Sequence, residues 1–153
     1  MGVAGCGKTV MGEALAEALG AVFIEGDRLH PPKNVARMAR GEPLTDALRE
    51  GWLDASVGEG HKPVAACSAL KRSYRNRLLS FCPGIVFLYL KIDRETARRR
   101  VSGRKGHFMP ASLVDSQFAT LEEPEPDEPA VTADGARSVA AILKQALSSS
   151  PSS

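Results

Sequence analysis

The stretch Gly2-Val3-Ala4-Gly5-Cys6-Gly7-Lys8-Thr9 reads G-x-x-x-x-G-K-T, the spacing of a phosphate-binding loop between a strand and a helix. Glycines at 2, 5 and 7 let the backbone aim its N–H groups inward at phosphate oxygens. The helix expected after them adds the positive end of its dipole. Lys8 supplies a mobile positive charge for a transferring phosphate, and Thr9 a hydroxyl suited to a magnesium ion. A chance glycine-rich turn would lack the helical period that follows. From Lys8 to Leu19 the apolar residues Val10, Ala14, Leu15, Ala18 and Leu19 fall on one face, and Gly20 supplies a stop.

Working outward, strands and helices alternate. Short β-rich runs are read at "AVFIEGD" (21–27), "KPVAACS" (62–68), "GIVFLYLKID" (84–93) and "AVTAD" (130–134). The third is apolar on both faces, as expected of a parallel strand covered by helices on either side. Helical patterns occupy 31–41, 45–56, 69–81, 94–106, 110–121 and 134–147, and the acidic, proline-rich "EEPEPDEP" (122–129) is read as a loop. This alternation argues for an α/β fold with a parallel sheet and helices on both faces. The expected organisation is one kinase-type domain over 1–147, a lid around 100–118, and a frayed tail over 148–153.

Composition narrows the field. With 43% apolar and 25% charged residues, the 153-residue chain has globular values. A net charge of +2 is too small to argue for nucleic acid or a membrane surface, and no apolar run reaches the roughly 20 residues of a membrane span. Cys6, Cys67 and Cys82 have no metal-binding spacing and are read as reduced thiols of a cytoplasmic protein, with Cys6 open to oxidants in the loop.

Asp27 closes the first of these β-rich runs, and parallel sheets bind ligands at the carboxyl ends of their strands. Its carboxylate suits a base for a substrate hydroxyl or a magnesium partner; alone, it would read rather as a helix cap or turn residue. His30 follows, and a lone histidine is more often structural. Arg100, Arg104, Lys105 and His107 form a basic stretch bounded by Gly103 and Gly106, fit for a closing lid or a solvated helix end. Lys71, Arg72, Arg75 and Arg77 carry the same ambiguity. Lys71 and Arg75, four apart, share a helical face that follows the end of a strand.

In this order, "MGVAGCGKT", "GDRLHP", "GEPLTDALREGWL", "CSALKRSYR", "RKGHF" and "SQFATLEEP" resemble the gluconokinase family of small P-loop sugar-acid kinases. The resemblance runs from Met1 to about Pro124. It implies a five-stranded parallel sheet like that of nucleotide monophosphate kinases, use of ATP and Mg2+, phosphorylation of D-gluconate to 6-phosphogluconate, and a homodimer. It assigns residues 2–9 to the phosphates (Gly2, Val3, Ala4, Gly5, Cys6, Gly7, Lys8, Thr9), with Thr9 on the metal. Asp27 would face the 6-hydroxyl, with His30 beside it. Arg49, Lys71, Tyr74 and Arg75 would hold the sugar acid, Arg100 would lie near adenine and Arg104 near the transferring phosphate. His107 and Gln117 match further cleft positions.

Three departures from the family pattern accompany the match. The family carries a strand before its phosphate loop, whereas here only Met1 precedes Gly2, so the sheet is expected to lack its first central strand, and a start upstream in the reading frame is expected. Five or six buried apolar residues at roughly 1.5–3 kcal/mol each amount to on the order of 10 kcal/mol, comparable to a whole domain's stability. The family's second carboxylate in D-x-D-R is lost at Asp46-Ala47-Leu48-Arg49, and the stretch between Trp52 and Cys67 is about two helical turns short. Two alternatives stay open: another small-molecule P-loop kinase, such as a shikimate-kinase-like protein, and a catalytically impaired nucleotide-binding remnant.

Overall fold

A computed structural model describes residues 1–26, 63–103 and 111–149. The helices expected over 31–41 and 45–56 lie outside them. The described elements, in chain order, are α1 (Lys8–Leu19), β1 (Phe23–Glu25), β2 (Val64–Ala66), α2 (Arg72–Phe81), β3 (Phe87–Lys91), α3 (Arg94–Ser102), α4 (Ala111–Thr120), β4 (Ala130–Asp134) and α5 (Val139–Ser149). All four strands sit within the β-rich runs read from sequence. Helix α5 continues to Ser149, two residues into the stretch expected to be frayed.

The strands pair in parallel as two couples, β1 with β2 and β3 with β4. No strand precedes the phosphate loop among the described residues, yet Met1 and Gly2 run between the couples. The Met1 amino group donates to the Leu88 carbonyl at 2.5 Å, the Leu90 amide donates to the Met1 carbonyl at 3.0 Å, and the Gly2 amide donates to the Ser68 carbonyl at 3.2 Å. Two residues therefore tie β3 to the turn after β2.

Alternation along β3 sorts its side chains into two cores. Phe87 and Tyr89 pack with Cys67, Ala69 and with Tyr74 and Leu78 of α2. Leu90 packs on the other side with Met11 of α1, Val101 of α3 and Ile142 of α5. The sheet is thus covered on both faces, as its two-sided apolar sequence requires.

Helix α1 begins at Gly7, whose φ of 97° and ψ of 22° are left-handed, and ends on Gly20 at φ 62°. Ala21 donates to the Ala16 carbonyl and Gly20 to that of Glu17, a Schellman closure that only a residue at ease with positive φ completes cheaply. The face that α1 buries is not quite the one expected. Met11, Gly12 and Ala16 are buried, with Ala14 and Leu15 partly so, while Val10 and Leu19 are 54% and 56% exposed. The sheet and α5 define the contact stripe, and it lies one residue around the helix from the stripe of largest apolar side chains.

The acidic 122–129 segment is a loop, as expected, and it is strapped to α2. Glu122 accepts the Arg72 amide at 2.7 Å, and the Arg72 guanidinium reaches Glu125 and Asp127, both at 2.5 Å. Below them, Arg75 and Glu128 form a bidentate pair at 2.5 and 2.8 Å with side chains 0% and 2% exposed. Arg75 also donates to the carbonyls of Ala69, Leu70 and Glu122, which satisfies a buried cation as burial demands. Its guanidinium holds the Glu128 carboxyl at about 2, well below the usual range.

Candidate active site

The site starts at the phosphate loop. Gly5 has φ 83°, and a Cβ there would stand 2.8 Å from the Ala97 carbonyl, so glycine is required both by conformation and by the approach of α3. A Cβ at Gly7 would meet nothing within 4 Å; there the left-handed turn into α1 alone makes the demand. Cys6 is 2% exposed, so the expectation that its thiol is open to oxidants is corrected: the loop turns its side chain into the core.

Distant parts of the chain hold the loop in shape. The Ala4 amide donates to Gln117 Oε1 of α4 at 2.6 Å. Arg100 of α3 donates through Nη1 to the Gly5 carbonyl at 3.3 Å and to that of Gly135 at 3.0 Å, joining the loop to the turn after β4. Lys8 Nζ donates to the Val3 carbonyl at 3.0 Å, which folds the ammonium over the loop it belongs to. Thr9 Oγ1 donates to Glu25 Oε2 at 2.6 Å, fixing the hydroxyl against the end of β1.

Glu25 is the residue that sequence reasoning passed over. It stands two positions before Asp27, and alternate residues of a strand share a face. That period was the available signal. A hydroxyl and a carboxylate together are hard oxygen donors of the type magnesium takes, and the amides and ammonium of the loop suit the phosphates of ATP. The residues present therefore fit both groups. No cluster of three or more histidine, cysteine or acidic side chains occurs among the described residues, so Thr9 and Glu25 would leave other positions of a metal to water and phosphate.

Beyond the phosphate loop, β2 leads into a bend at Ala69, whose φ of 42° is unusual for a residue with a side chain. The bend delivers the Ser68 carbonyl to the phosphate loop and sets Lys71 at the start of α2. Lys71 Nζ lies 5.5 Å from the centre of the Tyr74 ring, a cation–π distance. Arg75, expected from spacing to share their face, instead turns inward to Glu128. Asp27, His30, Arg49, Arg104 and His107 lie outside the described residues.

A family profile described as an AAA domain matches residues 1–124. A gluconokinase of Gluconobacter oxydans (strain 621H) is 45% identical over 154 positions, covering 96% of this chain and 86% of that protein. The chain belongs to the gluconokinase family. Among solved gluconokinases, one from Sinorhizobium meliloti 1021 superposes with a TM-score of 0.85 at 45% identity, covering 97% of this chain and 87% of the other. A sugar kinase from Janibacter sp. HTCC2649, solved without ligand, gives 0.89 at 43% identity over 97% and 90% of the two chains. As in the gluconokinase family expected from sequence, a P-loop kinase fold carries the site, and ATP is the phosphate donor this fold implies.

Proposed function

We propose that the chain transfers the γ-phosphoryl group of ATP to the 6-hydroxyl of D-gluconate, giving 6-phosphogluconate and ADP. The observation that carries this reading is the loop of residues 2–9 with Thr9 bonded to Glu25 at 2.6 Å, set in a chain 45% identical to a gluconokinase. The bond between the γ-phosphorus and the bridging oxygen breaks as the 6-oxygen attacks. Asp27 takes the hydroxyl proton, and Lys8 and Arg104 meet the charge spread over the transferring oxygens. Magnesium, when bound, neutralises phosphate charge; Thr9 would hold it, with Glu25 fixing the Thr9 hydroxyl or holding a metal-bound water.

Arg100 bridges the loop and the turn after β4, on the side assigned to adenine. His30, Arg49, Lys71, Tyr74 and His107 are assigned to the sugar acid, whose carboxylate and hydroxyls match basic and amphipathic partners. Gln117 and Arg75 act as positioning residues in this scheme, the first on the Ala4 amide and the second on the bend that precedes α2. A cytoplasmic homodimer completes the proposal; no helix among the described residues is long and apolar enough to cross a membrane.

The test is ADP release by the purified chain with gluconate, shikimate and nucleoside monophosphates offered separately, with the product identified by phosphorus NMR. Gluconate alone is expected to support turnover, and Lys8→Met is expected to lower it by about 10³-fold while the fold is retained. Turnover of shikimate but not gluconate would sink the assignment. Magnesium-dependent ATP binding with no turnover of any acceptor would return the nucleotide-binding remnant.

A further inference from the structure

The peptide group between Val3 and Ala4 is held from both edges. Its carbonyl accepts from Lys8 Nζ at 3.0 Å and from the Cys6 amide at 3.3 Å, while its N–H donates to Gln117 Oε1 at 2.6 Å. A trans peptide is planar, with N–H and C=O on opposite edges, so turning one edge turns the other. Lys8 and Gln117 therefore grip opposite edges of one rigid plate.

The plate needs a hold from outside the loop. Gly2 at φ 141° and Gly5 at φ 83° flank it, and glycines on both sides let a short segment rotate at little cost. The buried Val3 side chain anchors one Cα but leaves rotation about the Cα–Cα axis open. Gln117 closes that freedom from a backbone that is itself fixed. On α4, Leu113 and Val114 are buried, Asp115 pairs with Arg98 of α3, and the Arg94 guanidinium stands 5.4 Å from the centre of the Phe118 ring. A group carried on a docked helix holds position better than one carried on a loop.

Chemistry adds to geometry. A backbone N–H only donates, so whatever meets the Ala4 amide must be an acceptor, and the glutamine oxygen is one. Hydrogen bonds in series polarise one another, so acceptance at the Ala4 N–H strengthens the Val3 carbonyl as an acceptor for the ammonium. The lysine stem is flexible, and such a bond restricts where its charge can stand. Charge set in place beforehand needs no reorganisation when the phosphoryl group moves.

We infer that Gln117 is the positioning residue of Lys8, acting on the ammonium through the Val3–Ala4 peptide. The inference rests on the role proposed for Lys8 at the transferring phosphate, and it places the control of that cation on α4, outside the phosphate loop.

Two substitutions test it. Gln117→Met keeps the length of the side chain and removes the acceptor, whereas Gln117→Glu keeps an acceptor at the same reach. Hydrogen exchange is followed by NMR at the Ala4 amide and at the Lys8 ammonium. Gln117→Met is expected to speed the first by about ten-fold and the second by about three-fold or more, with both near parent values in Gln117→Glu. Single-turnover rates are then read with whichever acceptor supports turnover. Gln117→Met should lower the rate by about ten-fold in the parent chain, but by less than about two-fold in Lys8→Met, where the positioned cation is already gone. A role in stability alone would cost the same factor in both backgrounds. Equal losses in the two backgrounds, or Lys8 ammonium exchange unchanged by Gln117→Met, would overturn the inference. Failure of gluconate alone to turn over sinks only the acceptor assignment, and failure of every acceptor sinks the proposed reaction while the two exchange rates still decide what holds Lys8.

Discussion

β3 and β4 pair along five residues each, with Phe87, Tyr89 and Leu90 buried, whereas β1 and β2 pair along three and bury only Ala66. Each couple serves the phosphate loop. The deep couple carries the Gly135 turn that shares Arg100 with Gly5, and behind it the Arg75–Glu128 pair; the shallow couple carries Glu25, the partner of Thr9. One side of the loop is therefore anchored in core, and the other hangs on a short ladder. Damage to the deep side should register as lost stability, and damage to the shallow side as lost catalysis.

The largest expected effect breaks the deep side. Glu128→Gln leaves Arg75 buried without a counter-charge and should lose about 3–5 kcal/mol in chemical denaturation. A loss below about 1 kcal/mol would abolish the contrast between the couples. The same pair sets an acid limit. Because the folded Glu128 carboxyl sits at about 2, below its ordinary 4.5, its contribution is complete above the ordinary value and fades as pH falls from there toward 2. The denaturation midpoint of the parent chain should drop across that window, and the Glu128→Gln profile should be flatter.

Next in size is a substitution on the shallow side. A Cβ at Gly12 would stand 2.5 Å from Cε2 of Phe23, so Gly12→Ala must move the Phe23 ring and is expected to carry β1 with it. Overpacking costs about 1–3 kcal/mol, while alanine in a helix returns about 1 kcal/mol over glycine. Stability should change by about 1 kcal/mol or less, because Phe23 is only half buried and free to yield. Turnover should fall about ten-fold or more, since Glu25 rides on the displaced strand and small misplacements near a reacting group are expensive. Large unfolding with intact kcat would reverse the comparison. The smallest effect calibrates both: Lys91→Ala removes an exposed pair with Glu123 and should move stability by no more than about 0.5 kcal/mol.

The sequence disclosed what was local. The phosphate loop, the bounds of α1 and the four strand positions are each written in a handful of consecutive residues, and all hold. Side-chain direction was less legible wherever the partner lies far along the chain. Val10 and Leu19 looked like core because helical period names a face without saying what stands opposite it. Arg75 looked like a pocket residue because it shares a helical face with Lys71; the carboxylate that turns it inward belongs to Glu128, 53 residues later. The acidic segment is the loop expected, but its ties to Arg72 and Arg75 were out of local view for the same reason. Glu25 was missed although its two-residue spacing from Asp27 was in plain view, since nothing local announced that Thr9 would come to meet it.

The bonds that lock the phosphate loop have a kinetic consequence. Its shape is encoded by neighbours, but Ala4 is fixed by Gln117 across 113 positions and Gly5 by Arg100 across 95. Loop-closure entropy makes contacts of that separation slow to form, and topologies rich in them fold slowly. Helix α1 can therefore form early in refolding, while a rigid nucleotide cradle waits for α3 and α4 to dock. Recovery of ATP binding should lag recovery of helical signal, and competence should be among the last properties this chain acquires.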